Sequence, residues 1–230
     1  MKTIGILGGM GPQATVMLQS RIIDAVRAED DADHVPLIVD MNPQVPSRLD
    51  WILGEGRVDP APVLAAMARR LEAAGAEALA MPCNTAHYFA DAIRGAVGIP
   101  FLDMVDLSCK AAVALGGGKV GILASPATDR IGLFREALGR HGGAAIWPED
   151  QAAMLAAIRR IKAEGPGERD AEALRVAAGS CAGRGAGCLL IGCTEFSLLK
   201  GALEGQGLPV LDTLDVLVGE IVAFSGAAAR

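Results

Sequence analysis

Aromatic residues supply only 3% of this 230-residue chain: one Tyr, two Trp and five Phe. That is too few for a binding surface built on stacked rings. Positive charge is also in deficit, with 21 Lys and Arg against 27 Asp and Glu, a net charge of −6 and a pI near 5.1. Such a balance lacks the electrostatic footprint of a nucleic-acid binder or of a protein held on an anionic membrane. No apolar run approaches the ~18 residues of a membrane span. Met1 to Leu7 superficially resembles a secretory leader, but glycines interrupt it and Pro12 opens a helical pattern. There is no CxxC and no Cys/His pair at zinc-ligand spacing, and five cysteines is an odd number for a chain too long to need disulfide staples. They read as reduced thiols of a cytoplasmic protein. What is abundant is the raw material of a core, 51% hydrophobic residues, with 29 Gly and 12 Pro as punctuation. Small-molecule chemistry on a globular scaffold is what remains.

Short apolar runs alternate with longer amphipathic ones, the pattern of βαβ units around mostly parallel sheets. Strands are expected at Thr3 to Leu7, Val35 to Val39, Ala76 to Met81 and Ile99 to Asp103, and a loop from Asn42 to about Asp59. Helices are expected from Gln13 to Val26, from Asp59 and Pro60 to Gly75, and from Met104 to Leu115. The order then repeats. Ile4-Gly5-Ile6-Leu7 recurs as Val120-Gly121-Ile122-Leu123, Ala78 to Thr85 as Cys188 to Thr194, and Ile99 to Asp103 as Leu208 to Asp212, at offsets of 116, 110 and 109 residues. Such order, with the mostly parallel sheets of the βαβ pattern, implies two α/β lobes related by duplication or by pseudo-symmetry. The boundaries expected are 1–104 plus 212–230 for the first lobe and 105–211 for the second, with Gly116-Gly117-Gly118 as a join. The helix from Asp215 to Phe224 should return to the first lobe, and Met104 to Leu115 should pack on the second.

Ligands of open parallel sheets bind beyond the carboxyl ends of the strands. Cys83 and Cys193 both fall there, one per lobe, each followed by a polar residue able to open a helix. Two thiols reaching one carbon from opposite sides suit removal of a proton from one face and its return to the other. For that, one must be thiolate and the other thiol. Cys109, Cys181 and Cys188 lie in expected helix or strand interiors and read as core. His34 and His141 have no motif around them and read as solvent-facing.

Gly8-Gly9-Met10-Gly11-Pro12 with Ala14-Thr15, Met81-Pro82-Cys83-Asn84-Thr85-Ala86-His87 and Gly192-Cys193-Thr194-Glu195 resemble the cofactor-independent aspartate/glutamate racemase superfamily, in its aspartate racemase branch. The resemblance covers essentially the whole chain. It implies an α/β fold of two Rossmann-like lobes with mostly parallel four-stranded sheets related by pseudo-twofold symmetry, an active site in the cleft between them, a homodimer, and no pyridoxal phosphate, metal or nucleotide. Cys83 and Cys193 would be the paired proton donor and acceptor. Asn84, Thr85 and Thr194, with Ser125 and Thr128, would bind substrate. Arg48 and Lys162 would face the side-chain carboxylate of an acidic amino acid. Met10, His87 and Glu195 are further candidates: His87 as an orienting or tuning group one helical turn past Cys83, Glu195 as an acceptor for the substrate ammonium or a fixer of its loop. Arg159 stands where acidic-substrate members often carry Tyr.

Three rivals accompany this reading. Gly9-Met10-Gly11-Pro12-Gln13-Ala14 after a strand, with Asp40 ending the next strand, satisfies a loose dinucleotide fingerprint, although Pro12 sits inside it and Asp40 lies farther along than the usual ~20 residues. The same superfamily also contains hydantoin racemases, maleate isomerases and arylmalonate decarboxylases, of which a maleate-type dicarboxylate is the nearest competitor. The third is an amino-acid-binding protein without turnover.

Overall fold

In a computed structural model that describes residues 1–230, the chain opens on β1 (Ile4–Gly8), α1 (Pro12–Ala25), β2 (Leu37–Met41), α2 (Arg48–Leu53), α3 (Ala61–Ala73), β3 (Ala78–Ala80), α4 (Ala90–Arg94) and β4 (Phe101–Leu102). It continues with α5 (Met104–Gly116), β5 (Lys119–Leu123), α6 (Pro126–Arg130), α7 (Leu133–Arg140), β6 (Ala144–Ile146), α8 (Gln151–Glu164), α9 (Glu168–Gly183), β7 (Cys188–Ile191), α10 (Thr194–Ser197), β8 (Val210–Asp212) and α11 (Thr213–Ser225). Met1–Met104 with Leu214–Arg230 forms one unit, and Val105–Thr213 the other. Each holds one four-stranded parallel sheet, in the order β2-β1-β3-β4 in the first and β6-β5-β7-β8 in the second. No helix is long and apolar enough to cross a membrane.

Helices cover both faces of each sheet, which is why the inner strands are apolar throughout rather than alternating. In the first unit, Ala78 and Ala80 face Leu18, Ile22, Leu217 and Ile221, while Leu79 faces Leu64, Met67 and Leu71. In the second, Leu189 and Ile191 face Met154, Ile158 and Leu174, while Cys188 and Leu190 face Val105, Cys109 and Phe134. The final helix therefore packs on the first sheet and α5 on the second, as the hydrophobic pattern anticipates.

The repeat extends to single atoms. A Cβ added at Gly5 would lie 2.9 Å from both Ala76 Cβ and Leu79 Cδ2 and 3.1 Å from Leu71 Cβ; at Gly121 it would meet Cys181 Cβ and Leu189 Cδ2 at 2.8 Å and Ala186 Cβ at 3.3 Å. The partners 71, 76, 79 and 181, 186, 189 are the same three positions in the two sequence repeats. Glycine is needed at both because a helix crosses its first strand with no room for a side chain.

Three expectations need correction. The second strand runs Leu37–Met41 rather than Val35–Val39, because Pro36 has no N–H for the ladder and its carbonyl instead receives the N–H of Ile4 at the start of the register. The segment from Asn42 to Asp59 contains α2, started by the Ser47 side chain accepting the Asp50 N–H and ended by Gly54 in the left-handed region. The Gly116-Gly117-Gly118 join lies inside the second unit, and Gly116 is required there by close approach, since a Cβ would sit 2.5 Å from Cys188 Sγ.

Candidate active site

Cys83 follows β3 and Cys193 follows β7, each the third strand of its own unit and an interior strand of its sheet. All five cysteines are free and buried, but Cys83 and Cys193 each keep 8% of their surface open while Cys109, Cys181 and Cys188 keep none. The closed three are packing residues. Cys181 Sγ donates to the Ile146 carbonyl and Cys188 Sγ to that of Ala112, and burial pushes the Cys181 thiol up to about 11.

In the first unit the Cys83 loop turns directly into the short 3₁₀ helix Thr85–Phe89, with Asn84 at its start. Asn84 is buried and Thr85 half-buried. His87 is buried, with Nδ1 2.9 Å from the Cys83 carbonyl and Nε2 3.2 Å from the Met104 N–H. Met10 packs in the same apolar cluster as Cys83 and Val45, and α2, which begins at Arg48, lies against the 3₁₀ helix. The Arg48 guanidinium is anchored through Nη1, which donates to the carbonyls of Val45 and Pro46 at 2.9 and 2.8 Å. Its Nε is buried without a partner. The loop thus fixes the guanidinium by one corner and leaves the Nε–Nη2 edge, the edge that grips a carboxylate side-on.

In the second unit α8 packs against both α6 and α10, which brings the remaining candidates together. Cys193 Sγ donates to Glu195 Oε2 at 2.9 Å, and Glu195 Oε1 lies 3.4 Å from Lys162 Nζ. Burial pushes the Cys193 thiol well up, the Glu195 carboxylate adds to that by charge and by accepting the hydrogen bond, and Lys162 opposes it. Cys193 is therefore held as a thiol. Thr194 is buried at the start of α10. Ser125 caps α6 by accepting the Ala127 N–H, and Thr128 Oγ1 donates to the Ser125 carbonyl at 2.6 Å, so these two hydroxyls are tied to the helix start. Arg159 is exposed, whereas Arg160 is the arginine that turns inward, onto the buried Asp170 of α9.

The pattern did not disclose the link from Cys193 through Glu195 to Lys162. Its signal is the Cys-x-Glu spacing at a helix start, where the residue before the first turn and the second residue of that turn sit side by side. His141 is not solvent-facing: it is half-buried, with Nε2 3.1 Å from Asp106 Oδ1. His34 is likewise half-buried. The features that suggested a dinucleotide are taken up internally. A Cβ on Gly9 would fall 2.4 Å from the backbone of Asn42, so the close approach this glycine permits is made by the chain itself, and Asp40 is bonded by Arg70 at 2.6 Å. No group of three or more His, Cys, Asp or Glu side chains is arranged to hold a metal ion.

A family model described as Asp/Glu/Hydantoin racemase matches residues 7–221. The chain belongs to this family. As a member of this racemase family it is 27% identical over 165 residues to the broad specificity amino-acid racemase RacX of Bacillus subtilis, a match covering 68% of this chain and 71% of RacX. The Picrophilus torridus aspartate racemase superposes on all of it and on 96% of its own chain, with a TM-score of 0.87 and 26% identity. An aspartate racemase homologue from Pyrococcus horikoshii shares the fold over 98% of this chain and 100% of its own, at a TM-score of 0.78 and 23% identity.

Proposed function

We propose that this chain interconverts L- and D-aspartate without a cofactor, with Cys83 and Cys193 as the two bases on opposite faces of the α-carbon. The observation that carries the reading is the pair of slightly open thiols at equivalent strand ends, of which Cys193 is held protonated by burial and by Glu195. In one turnover a Cys83 thiolate takes the α-proton while the Cys193 thiol gives its proton to the opposite face; the reverse turnover exchanges the roles. Charge developing on the α-carboxylate needs donors, which Asn84, Thr85, Thr194 and Ser125 supply with neighbouring backbone N–H groups, while Thr128, its proton given to the Ser125 carbonyl, holds the turn that presents Ser125. The unpartnered edge of Arg48 suits the side-chain carboxylate, and Lys162 adds a cation near Cys193.

The aspartate racemase of Picrophilus torridus supports aspartate as substrate, and RacX, named for broad specificity, supports testing further amino acids. The exposed Arg159 favours the same wider panel, because a position often filled by Tyr in acidic-substrate members presents no ring. Racemisation of each enantiomer of aspartate, glutamate and a neutral amino acid in D2O tests the reading, with Cys83→Ala and Cys193→Ala beside the parent. Aspartate should gain one solvent deuterium at Cα, and either substitution should cost about 10²–10⁴-fold in kcat. Full activity in either variant, or product without deuterium, would overturn it.

A further inference from the structure

We infer that His87 is a positioning residue: a neutral imidazole with its proton on Nδ1, it ties the Cys83 carbonyl to the backbone of Met104, and Ser197 with Asp212 braces the turn after Cys193 in the corresponding way. What is positioned rests on the two-thiol reading above; the brace itself does not.

The geometry fixes the tautomer. Nε2 lies 3.2 Å from the Met104 N–H, which can only donate, so Nε2 must accept. Nδ1 lies 2.9 Å from the Cys83 carbonyl, which can only accept, so Nδ1 must carry the proton. The ring therefore joins the loop that presents Cys83 to the first residue of α5, where the chain leaves the first unit. Phe101 of β4 holds the ring from the side, its centroid 5.3 Å away. The charged groups facing it are Asp103, with Oδ1 3.9 Å from Nε2, and Arg94, which is bonded to Asp103. An imidazolium would set an Nε2–H against the Met104 N–H. Burial and the Arg94 charge also hold the ring neutral, against the pull of Asp103 and the Cys83 carbonyl.

The repeat reproduces the brace with different atoms. Ser197 stands four residues after Cys193 as His87 stands four after Cys83, and Asp212 ends β8 at the place where Asp103 follows β4. Ser197 Oγ donates to Asp212 Oδ1 at 2.7 Å, and both residues are buried. A tie from the residue four past the cysteine to the end of the fourth strand is thus present in each unit.

Two substitutions separate the two bonds. His87→Asn keeps an N–H donor at the place of Nδ1 and loses the acceptor, while His87→Gln keeps an acceptor at the place of Nε2 and loses the donor to Cys83. Each variant cuts the tie at one end, so in both kcat should fall about ten-fold at little-changed KM and Cys83 alkylation by iodoacetamide should rise by a similar factor. Alkylation of Cys193, read by peptide mass in the same samples, should not move. Imidazole ¹⁵N shifts of the parent should give the Nδ1–H tautomer at neutral pH. An Nε2–H tautomer, or an Asn or Gln variant whose kcat and Cys83 alkylation stay at the parent's level, would each overturn the inference. A parent that racemises nothing would overturn the functional reading and leave the shifts and the alkylation rates to decide the brace.

Discussion

At the scale of single residues, the two thiols are unequal. Cys193 donates to a carboxylate 2.9 Å away inside a buried setting, so its proton is retained by burial and by the charge and hydrogen bond of Glu195, and is loosened by Lys162 and the Glu195 backbone N–H. Replacing Glu195 by Gln removes the negative charge while leaving the lysine. The expected outcome is a downward shift in the pH midpoint for Cys193 alkylation by about one unit or more, with the Cys83 profile unchanged, measured by peptide mass across a pH series. An unmoved midpoint would show that burial alone sets Cys193. The two cysteines were legible in the sequence because a lone buried thiol is ordinary whereas two at matching strand ends are not. The role of Glu195 was not legible, because it depends on the turn by which Cys193, in extended conformation, hands the chain to α10. Arg48 was legible as a carboxylate candidate, but the fixing of its Nη1 by two loop carbonyls follows from the path of the Val45–Pro46 segment, which no hydropathy pattern encodes.

At the scale of elements, the duplication is written more fully in burial than in residue identity. From 71 to 88 and from 181 to 198 the classes of burial run in step and differ only at 77 against 187. Leu71 and Cys181 occupy the same place, which explains why Cys181 is a packing residue although it is a thiol. The strands and the flanking helices were legible because apolar periodicity reports burial directly. The start of β2 and the existence of α2 were not, since one was decided by the missing N–H of Pro36 and the other by a single serine cap on a six-residue helix. The close crossing of a helix over the first strand of each sheet gives a direct check. Gly121→Ala would force a Cβ to within 2.8 Å of Cys181 Cβ and Leu189 Cδ2, and because these side chains and Ala186 are buried, the second unit should lose about 1–3 kcal/mol of stability. Denaturant unfolding of the variant measures this. A loss below about 0.5 kcal/mol would mean that α9 can shift away from β5 at little cost.

At the scale of the whole molecule, the groups whose proton affinity folding changes are divided between the units. His87, in the first, has its basicity lowered by burial, so below about pH 6.5 the unfolded chain binds a proton that the folded one refuses, and stability falls with falling pH by up to about 1.4 kcal/mol per unit. Cys181, Cys188 and Cys193, in the second, have their thiols raised, so above about pH 8.5 the unfolded chain releases protons that the folded one keeps, and stability falls with rising pH. The two units should therefore weaken at opposite ends of the pH scale. The chain carries its own reporters, since its two tryptophans, Trp51 and Trp147, fall one in each unit and both are half-buried. With Trp147→Phe the remaining Trp51 should report a midpoint of denaturant unfolding that drops between about pH 7 and 5.5, and His87→Asn should flatten that slope by about one proton. With Trp51→Phe, Trp147 should hold its midpoint over that range and lose it between about pH 8 and 10. Identical profiles from the two reporters would mean that the units unfold as one cooperative body, and an acid slope unaltered by His87→Asn would assign it to carboxylates instead.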